Sequence, residues 1–116
     1  MEIKDRIKEL RTTLGLTQAK FAERVALVAS FISEIEGGVR EINERAIRLI
    51  IAEYNVNESW LRHGQGSMFS EDMSAKVSEA LGMFKSLDSN FQDGALKMLA
   101  AMVETHENVK QGNLVV

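Results

Sequence analysis

The polar side chains that could carry out catalysis are sparse in this chain and lack the spacing that catalysis requires. The sequence has no cysteine, which excludes disulfides, thiolate metal sites and a cysteine nucleophile. His63 and His106 are far apart and lack the paired spacing of metal ligands. Ser30 and Ser33 have no nearby histidine or lysine that could serve as a base. We therefore expect a protein that is not an enzyme and that uses no cofactor and no metal.

Two further patterns also lack the context that a chemical site needs. Glu34 and Glu36 are two residues apart, so on a helix the two carboxylates do not share a face. Gly64 and Gly66 lack the preceding strand, the third glycine and the following helix of a phosphate-binding loop. Neither pattern supports a catalytic or nucleotide-binding site.

Length and composition indicate a small globular protein. The chain has 116 residues, of which 45% are hydrophobic and 27% are charged, so it can bury a core and remain soluble. Residues 1–6 are too charged to begin a signal peptide. No apolar run approaches the roughly 18 residues of a membrane span. These features predict a cytoplasmic protein without a membrane partner.

Hydrophobic periodicity predicts an all-α fold. Proline is absent, and apolar residues recur three and four positions apart rather than in alternation. The predicted helices cover about residues 2–13, 18–25, 28–36, 44–54, a short segment from 58 through Trp60 and Leu61, 71–86 and 89–106. We expect a helix-turn-helix domain over 1–69, a helical hairpin over 70–107 and a frayed tail over 108–116.

Residues typical of helix ends support these limits. Gly15 and the pair Gly37-Gly38 are placed to end helices. Side chains that can cap a helix N-terminus precede most of the others: Thr17, Asn43, Asn57, and Asp88 or Ser89. The helix that begins near residue 28 is the exception, because Val28 cannot cap it.

The charges are unevenly distributed along the chain. The net charge is −3, but residues 1–69 hold ten basic and ten acidic residues, whereas residues 70–116 hold four and seven. A neutral domain can bind DNA when its cations share a face. Its binding as a monomer is expected to be weak, because phosphate contacts supply most non-specific affinity.

The order of residues from Leu14 to Gly38 resembles the Cro/CI-type, or XRE-family, helix-turn-helix regulators. The segments that carry the resemblance are Leu14-Gly15-Leu16-Thr17-Gln18, Phe21-Ala22-Glu23 and Ile32-Ser33-Glu34-Ile35-Glu36-Gly37-Gly38. Later segments, Asn43 to Ile50 and Tyr54 to Phe69, are similar to repressors carried by prophages of low-GC Gram-positive bacteria. The resemblance implies a five-helix, lambda-repressor-like DNA-binding domain over residues 1–69, with its third helix in the major groove.

The resemblance also implies which residues contact double-stranded DNA. The candidates are Gln18, Ala29, Ser30, Phe31, Ser33, Glu34, Arg40 and Asn43. Gln18, Arg40 and Asn43 would contact the phosphate backbone, and Gln18 would also brace the third helix. The others would face base edges, with Glu34 at the margin.

The chain departs from the family pattern where bases are read. Ala26 replaces the usual turn glycine, and Ala29 and Phe31 replace polar or basic readers. No residue of the third helix can make a bidentate base contact, so apolar contacts with thymine methyl groups and DNA shape should contribute to specificity. Phe31 could contact DNA or another protein, and Arg40 could be a solvated loop charge. We interpret Glu36 as a structural partner of a cation such as Arg11.

The predicted hairpin has two apolar faces that cannot fully cover each other. It either packs on the first domain or forms a homodimer, and we favour the dimer because it doubles the phosphate contacts and matches a palindromic site. The candidate dimer residues are Val77, Leu81, Phe84, Phe91, Leu99 and Met102. The sequence thus predicts a homodimeric transcriptional regulator, and we expect it to act as a repressor. The alternative is a protein-interaction module, anti-repressor-like or antitoxin-like, with weak or lost DNA binding.

Overall fold

The fold is all-α, as the periodicity predicts. The computed structural model describes residues 1–112, and the last part of the predicted tail, 113–116, lies outside them. The described chain forms seven helices: α1 (Ile3–Thr13), α2 (Gln18–Arg24), α3 (Ala29–Glu36), α4 (Glu44–Tyr54), α5 (Glu58–His63), α6 (Glu71–Lys85) and α7 (Ser89–Lys110).

The predicted caps explain where most helices begin. The Thr17 hydroxyl accepts a hydrogen bond from the backbone N–H of Lys20 at 3.1 Å. The side chains of Asn43 and Asn57 cap α4 and α5 in the same way. Asp88 rather than Ser89 caps α7. Val28 makes no capping bond at α3, as expected.

Two limits in the second half of the chain differ from the prediction. Helix α7 continues to Lys110, so the first residues of the predicted frayed tail are helical. The chain divides into two compact units, Met1–Ser74 and a second that begins at Ala75, rather than at residue 70. The division falls after residue 70 because backbone hydrogen bonds connect the residues just before α6 to the rest of the first unit. The N–H of Ser70 donates to the carbonyl of Asn55 at 2.8 Å, and Phe69 pairs with Val56.

A single hydrophobic core holds the first unit together. Its largest fully buried side chains are Ile7, Leu10, Phe21, Ile32, Ile35, Ile50 and Leu61. The rings of Phe21 and Tyr54 stack at 4.7 Å, and the Tyr54 hydroxyl donates to the Phe21 carbonyl at 2.8 Å. Burial raises the pKa of Tyr54 to about 12. These contacts fix α2 against α4.

Arg6 is a basic residue of α1 that lies inside the fold rather than on the surface. Its side chain is buried, with 6% of the residue exposed. The guanidinium donates to three main-chain carbonyls: Leu61 at 2.7 Å, Arg62 at 3.0 Å and Met1 at 2.6 Å. Carbonyls at the end of a helix have no partner within the helix. Arg6 therefore satisfies the end of α5 and fastens it to α1.

Ala26 adopts the left-handed backbone conformation that its glycine-type position requires, with φ +57°. This conformation brings the N–H of Leu27 to the carbonyl of Ala22 at 2.8 Å and directs the chain from α2 into α3. A side chain in this region costs about 1–2 kcal/mol, because Cβ approaches the following carbonyl. The turn thus keeps its geometry at the expense of local strain.

Replacing Ala26 with glycine is therefore expected to raise the free energy of unfolding by about 0.5–1 kcal/mol. Relief of strain exceeds the entropy that glycine adds to the unfolded chain. Denaturant unfolding followed by circular dichroism measures the change. As a matched control, Ala52→Gly within α4 should destabilise by about 1 kcal/mol. A loss of stability in Ala26→Gly would show that the turn is unstrained.

The second unit has amphipathic helices whose apolar faces are exposed. Helices α6 and α7 are separated by residues 86–88, and neither contains a buried residue. Eleven of the fourteen large apolar side chains that are exposed in the described chain lie between Val77 and Val109, so the exposed apolar surface is concentrated there. Within residues 1–112, no helix is both long and apolar enough to span a membrane.

Candidate nucleic-acid interface

Helices α2 and α3 form the two-helix unit that the sequence predicts. Their shared core is buried as expected: Phe21, Ala22, Val25, Ile32 and Ile35. Ala22 is fully buried, and its small side chain lets the two helices approach closely. The opposite face of α3 presents Ala29, Ser30 and Ser33 to solvent. The unit therefore exposes a face of short side chains.

A polar brace fixes the end of α3 against α1 and α2. The Arg11 guanidinium donates two hydrogen bonds to the Glu36 carboxylate, at 2.7 and 2.9 Å. The Gln18 amide donates to the same carboxylate at 3.2 Å. The pairing raises the pKa of Arg11, chiefly through its hydrogen bond to Glu36. The predicted pairing of Glu36 with Arg11 is confirmed, and Gln18 does brace α3.

Arg40 lies against the exposed side of α3. Its Nε donates to the Glu34 carboxylate at 2.7 Å, and its guanidinium lies 5.4 Å from the centre of the Phe31 ring. Phe31 is half-buried and packs against the core. The Arg40 side chain is still 52% exposed, so it can reach a phosphate if it exchanges one anionic partner for another.

The start of α4 combines a capping asparagine with a neutralised acidic residue. The Asn43 side-chain oxygen accepts from the N–H of Ala46 at 2.8 Å, which leaves the amide NH₂ as the group that can donate to a phosphate. Glu44 pairs with Arg62 at 3.0 Å and with Arg48 at 3.1 Å. These hydrogen bonds lower the pKa of Glu44 to about 2. Both cations offset the charge that would otherwise repel an anion.

Val28 is a member of this surface that the sequence analysis considered only as a missing cap. It is 66% exposed and directly precedes Ala29 at the N-terminal end of α3. Its position at the start of α3 could have identified it, because the N-terminal residues of this helix are the ones expected to contact bases. The face from Val28 to Ser33 thus begins with two apolar side chains.

Comparison with known proteins identifies the family. A family model described as a helix-turn-helix domain matches residues 5–67, more than half of the chain. The chain belongs to this helix-turn-helix family. Its helix-turn-helix is of the XRE type, as the sequence motif predicts. The matched residues include α1 to α5 except for the first residues of α1.

Two solved structures are similar to this helix-turn-helix protein. A complex of the SinR and SinI proteins is 18% identical, with a TM-score of 0.50 and coverage of 88% of this chain and 98% of that chain. A transcriptional regulator from Listeria innocua is 16% identical, with a TM-score of 0.49 and coverage of 90% and 94%. No curated protein matches the sequence.

The described part of this helix-turn-helix protein contains no cluster of three or more acidic, histidine or cysteine side chains arranged to hold a metal ion. Three ion pairs lie in and around this region: Arg11 of α1 with Glu36, Arg40 with Glu34, and Arg48 with Glu44.

Proposed function

We propose that this helix-turn-helix protein is a cytoplasmic, non-enzymatic transcriptional repressor of the prophage type, acting as a homodimer on a palindromic operator. The observation that carries the proposal is the exposed face of α3, which the Arg11–Gln18–Glu36 brace holds rigidly. Rigid elements position base contacts more accurately than loops do. In this arrangement Ala29, Ser30 and Ser33 face base edges, with Glu34 at the margin.

The phosphate contacts come from residues around α3. Gln18 lies at the first position of α2, Arg40 follows α3, and Asn43 caps α4. Helix N-termini and guanidinium groups are favourable partners for phosphate. Phe31 supports this function indirectly, since its ring lies beneath the Arg40 guanidinium.

Replacing Arg40 with alanine should weaken binding to all DNA sequences. It should also flatten the plot of log affinity against log salt by about one unit for each protomer, because one phosphate contact is lost. Fluorescence anisotropy at several salt concentrations measures the slope. Lys8→Ala, which removes an exposed cation of α1, should leave the slope unchanged. An unchanged slope in Arg40→Ala would remove Arg40 from the phosphate contacts.

The second part of the proposal is that two copies of the chain associate through α6 and α7. Of the candidate dimer residues, Val77, Leu81, Phe91, Leu99 and Met102 are exposed and Phe84 is half-buried. Exposed apolar patches larger than a few hundred Å² mark interaction sites. The five exposed candidates are each about half exposed or more, so together they offer an apolar patch on the order of the few hundred Å² that marks such a site.

The charges of α7 favour a second copy as the occupant. At 100° per residue, Asp93, Lys97 and Glu104 lie on the side of the helix opposite the Phe91–Met102 stripe. The stripe is therefore apolar on both copies, and a symmetric contact places no like charges together. A dimer also doubles the phosphate contacts of a first unit whose charges sum to zero over residues 1–69.

Selection of bound duplexes from a random DNA pool tests this function. We expect enrichment of an inverted repeat whose half-site centres are about 10 base pairs apart, one turn of the helix. Failure to enrich any sequence at low salt would contradict a sequence-specific function.

A second function is favoured by the same exposed stripe. The similar SinR–SinI structure is a complex of two different proteins, and an anti-repressor-like or antitoxin-like module would use its apolar helices to bind a different protein. Under this alternative the purified protein retains no DNA at low salt but captures a protein partner. Under the same alternative, Leu99→Glu should abolish capture of the protein partner.

A further inference from the structure

The start of α3 presents an exposed surface of small, uncharged side chains. Val28 is 66% exposed, and Ala29 and Ser30 beside it are exposed as well. The side chains from Val28 to Ser33 carry no formal charge. The first charge beyond them, Glu34, is paired with Arg40.

Hydrogen bonds from this surface cannot select a base by themselves. Ser30 and Ser33 each have a hydroxyl that both donates and accepts, so each accommodates any base edge. Phe31 is half-buried beneath the Arg40 guanidinium and is not free to extend into a groove. Of the side chains on this face, Val28 and Ala29 are then the ones whose direct contacts can distinguish one base from another.

We infer that Val28 and Ala29 determine specificity by contacting the C5-methyl groups of thymines in the major groove. The thymine methyl is the one apolar group that a base pair displays there. Cytosine N4 or guanine O6 placed against Val28 would lose water without gaining a partner, which costs free energy. The surface therefore favours thymine and also rejects the other bases.

This inference rests on the proposed DNA-binding function and specifies the ligand of its reading helix: a half-site with thymines opposite the start of α3. Each buried methyl should contribute about a fourfold gain in affinity. Because a dimer repeats the contact in both half-sites, removing one methyl from each should reduce affinity by about fifteenfold.

Deoxyuridine substitution tests the inference, because it removes the thymine methyl and leaves every hydrogen-bonding group in place. In the selected operator, thymines are replaced one symmetric pair at a time, and affinity is measured by fluorescence anisotropy. We expect about fifteenfold weaker binding at the pair opposite Val28 and no change at pairs in the flanking duplex.

Two valine variants complete the experiment. Val28→Ser supplies the missing cap of α3 and should therefore keep the fold, yet lose its sensitivity to deoxyuridine at that pair. Val39→Ser alters a valine that is 80% exposed beyond α3, and it should retain the sensitivity.

The outcomes separate the two proposals. A wild-type protein that binds its operator equally well with thymine or deoxyuridine throughout overturns the methyl contacts and leaves the DNA-binding function standing. Sensitivity that persists in Val28→Ser removes Val28 from the contacts. A wild-type protein that binds no duplex overturns both proposals.

Discussion

Replacing Leu99 with glutamate is expected to convert the proposed dimer into a monomer and to weaken operator binding by about a hundredfold or more. Leu99 is 54% exposed within the apolar stripe of α7, so the change does not disturb a core. In a dimer it would bury two unpaired carboxylates, a cost that the interface cannot recover. Operator affinity then falls because a monomer occupies a single half-site, whereas in a dimer the binding of one protomer holds the second next to its own half-site.

Light scattering and fluorescence anisotropy measure the two effects. The control is Ala100→Glu, since Ala100 is exposed and lies on the side of α7 away from the stripe. We expect that variant to remain dimeric and to bind as wild type does. A dimeric Leu99→Glu protein with unchanged affinity would place the interface elsewhere.

Replacing Arg6 with alanine is expected to lower the free energy of unfolding of the first unit by about 3 kcal/mol. The substitution leaves the carbonyls of Met1, Leu61 and Arg62 without their donor. Loss of a buried partner costs about 1–3 kcal/mol for each group, and water can satisfy part of the deficit. A domain of this size should lose about 15 °C or more in Tm.

Differential scanning calorimetry provides the measurement. Lys8→Ala, an exposed neighbour on α1, should change stability by no more than about 0.5 kcal/mol. Arg6→Lys keeps the charge but offers a single donor group, so it should lie between alanine and wild type. An effect of Arg6→Ala as small as that of Lys8→Ala would mean that these hydrogen bonds do not stabilise α5.

Local patterns in the sequence predict most of the fold. The stripe of apolar residues and the caps Thr17 and Asn43 define α2 and α4 to within a residue, because capping and periodicity act over a single turn. The buried position of Arg6 was not predictable in this way. Two of its three acceptors are carbonyls more than fifty residues away in the sequence. The periodicity of a single helix contains no information about such distant partners, and it would place a basic residue on the surface.

The candidate site was predicted in part. Pairing of Arg11 with Glu36 follows from the spacing of charges on helices that must cross, and the structure confirms it. The stacking of Arg40 on Phe31 could not be derived, because it depends on how the chain turns after Gly38, whose φ is +77°. Val28 was overlooked because its side chain was considered as a cap rather than as an exposed surface.

The mass of the complex with the selected duplex is the most direct test that two copies of this helix-turn-helix protein bind one symmetric site. Each protomer has a mass of 13.0 kDa, and light scattering resolves one copy from two. We predict a complex that weighs as much as the duplex plus two protomers. A complex containing a single protomer, or no complex at low salt, would contradict the proposal.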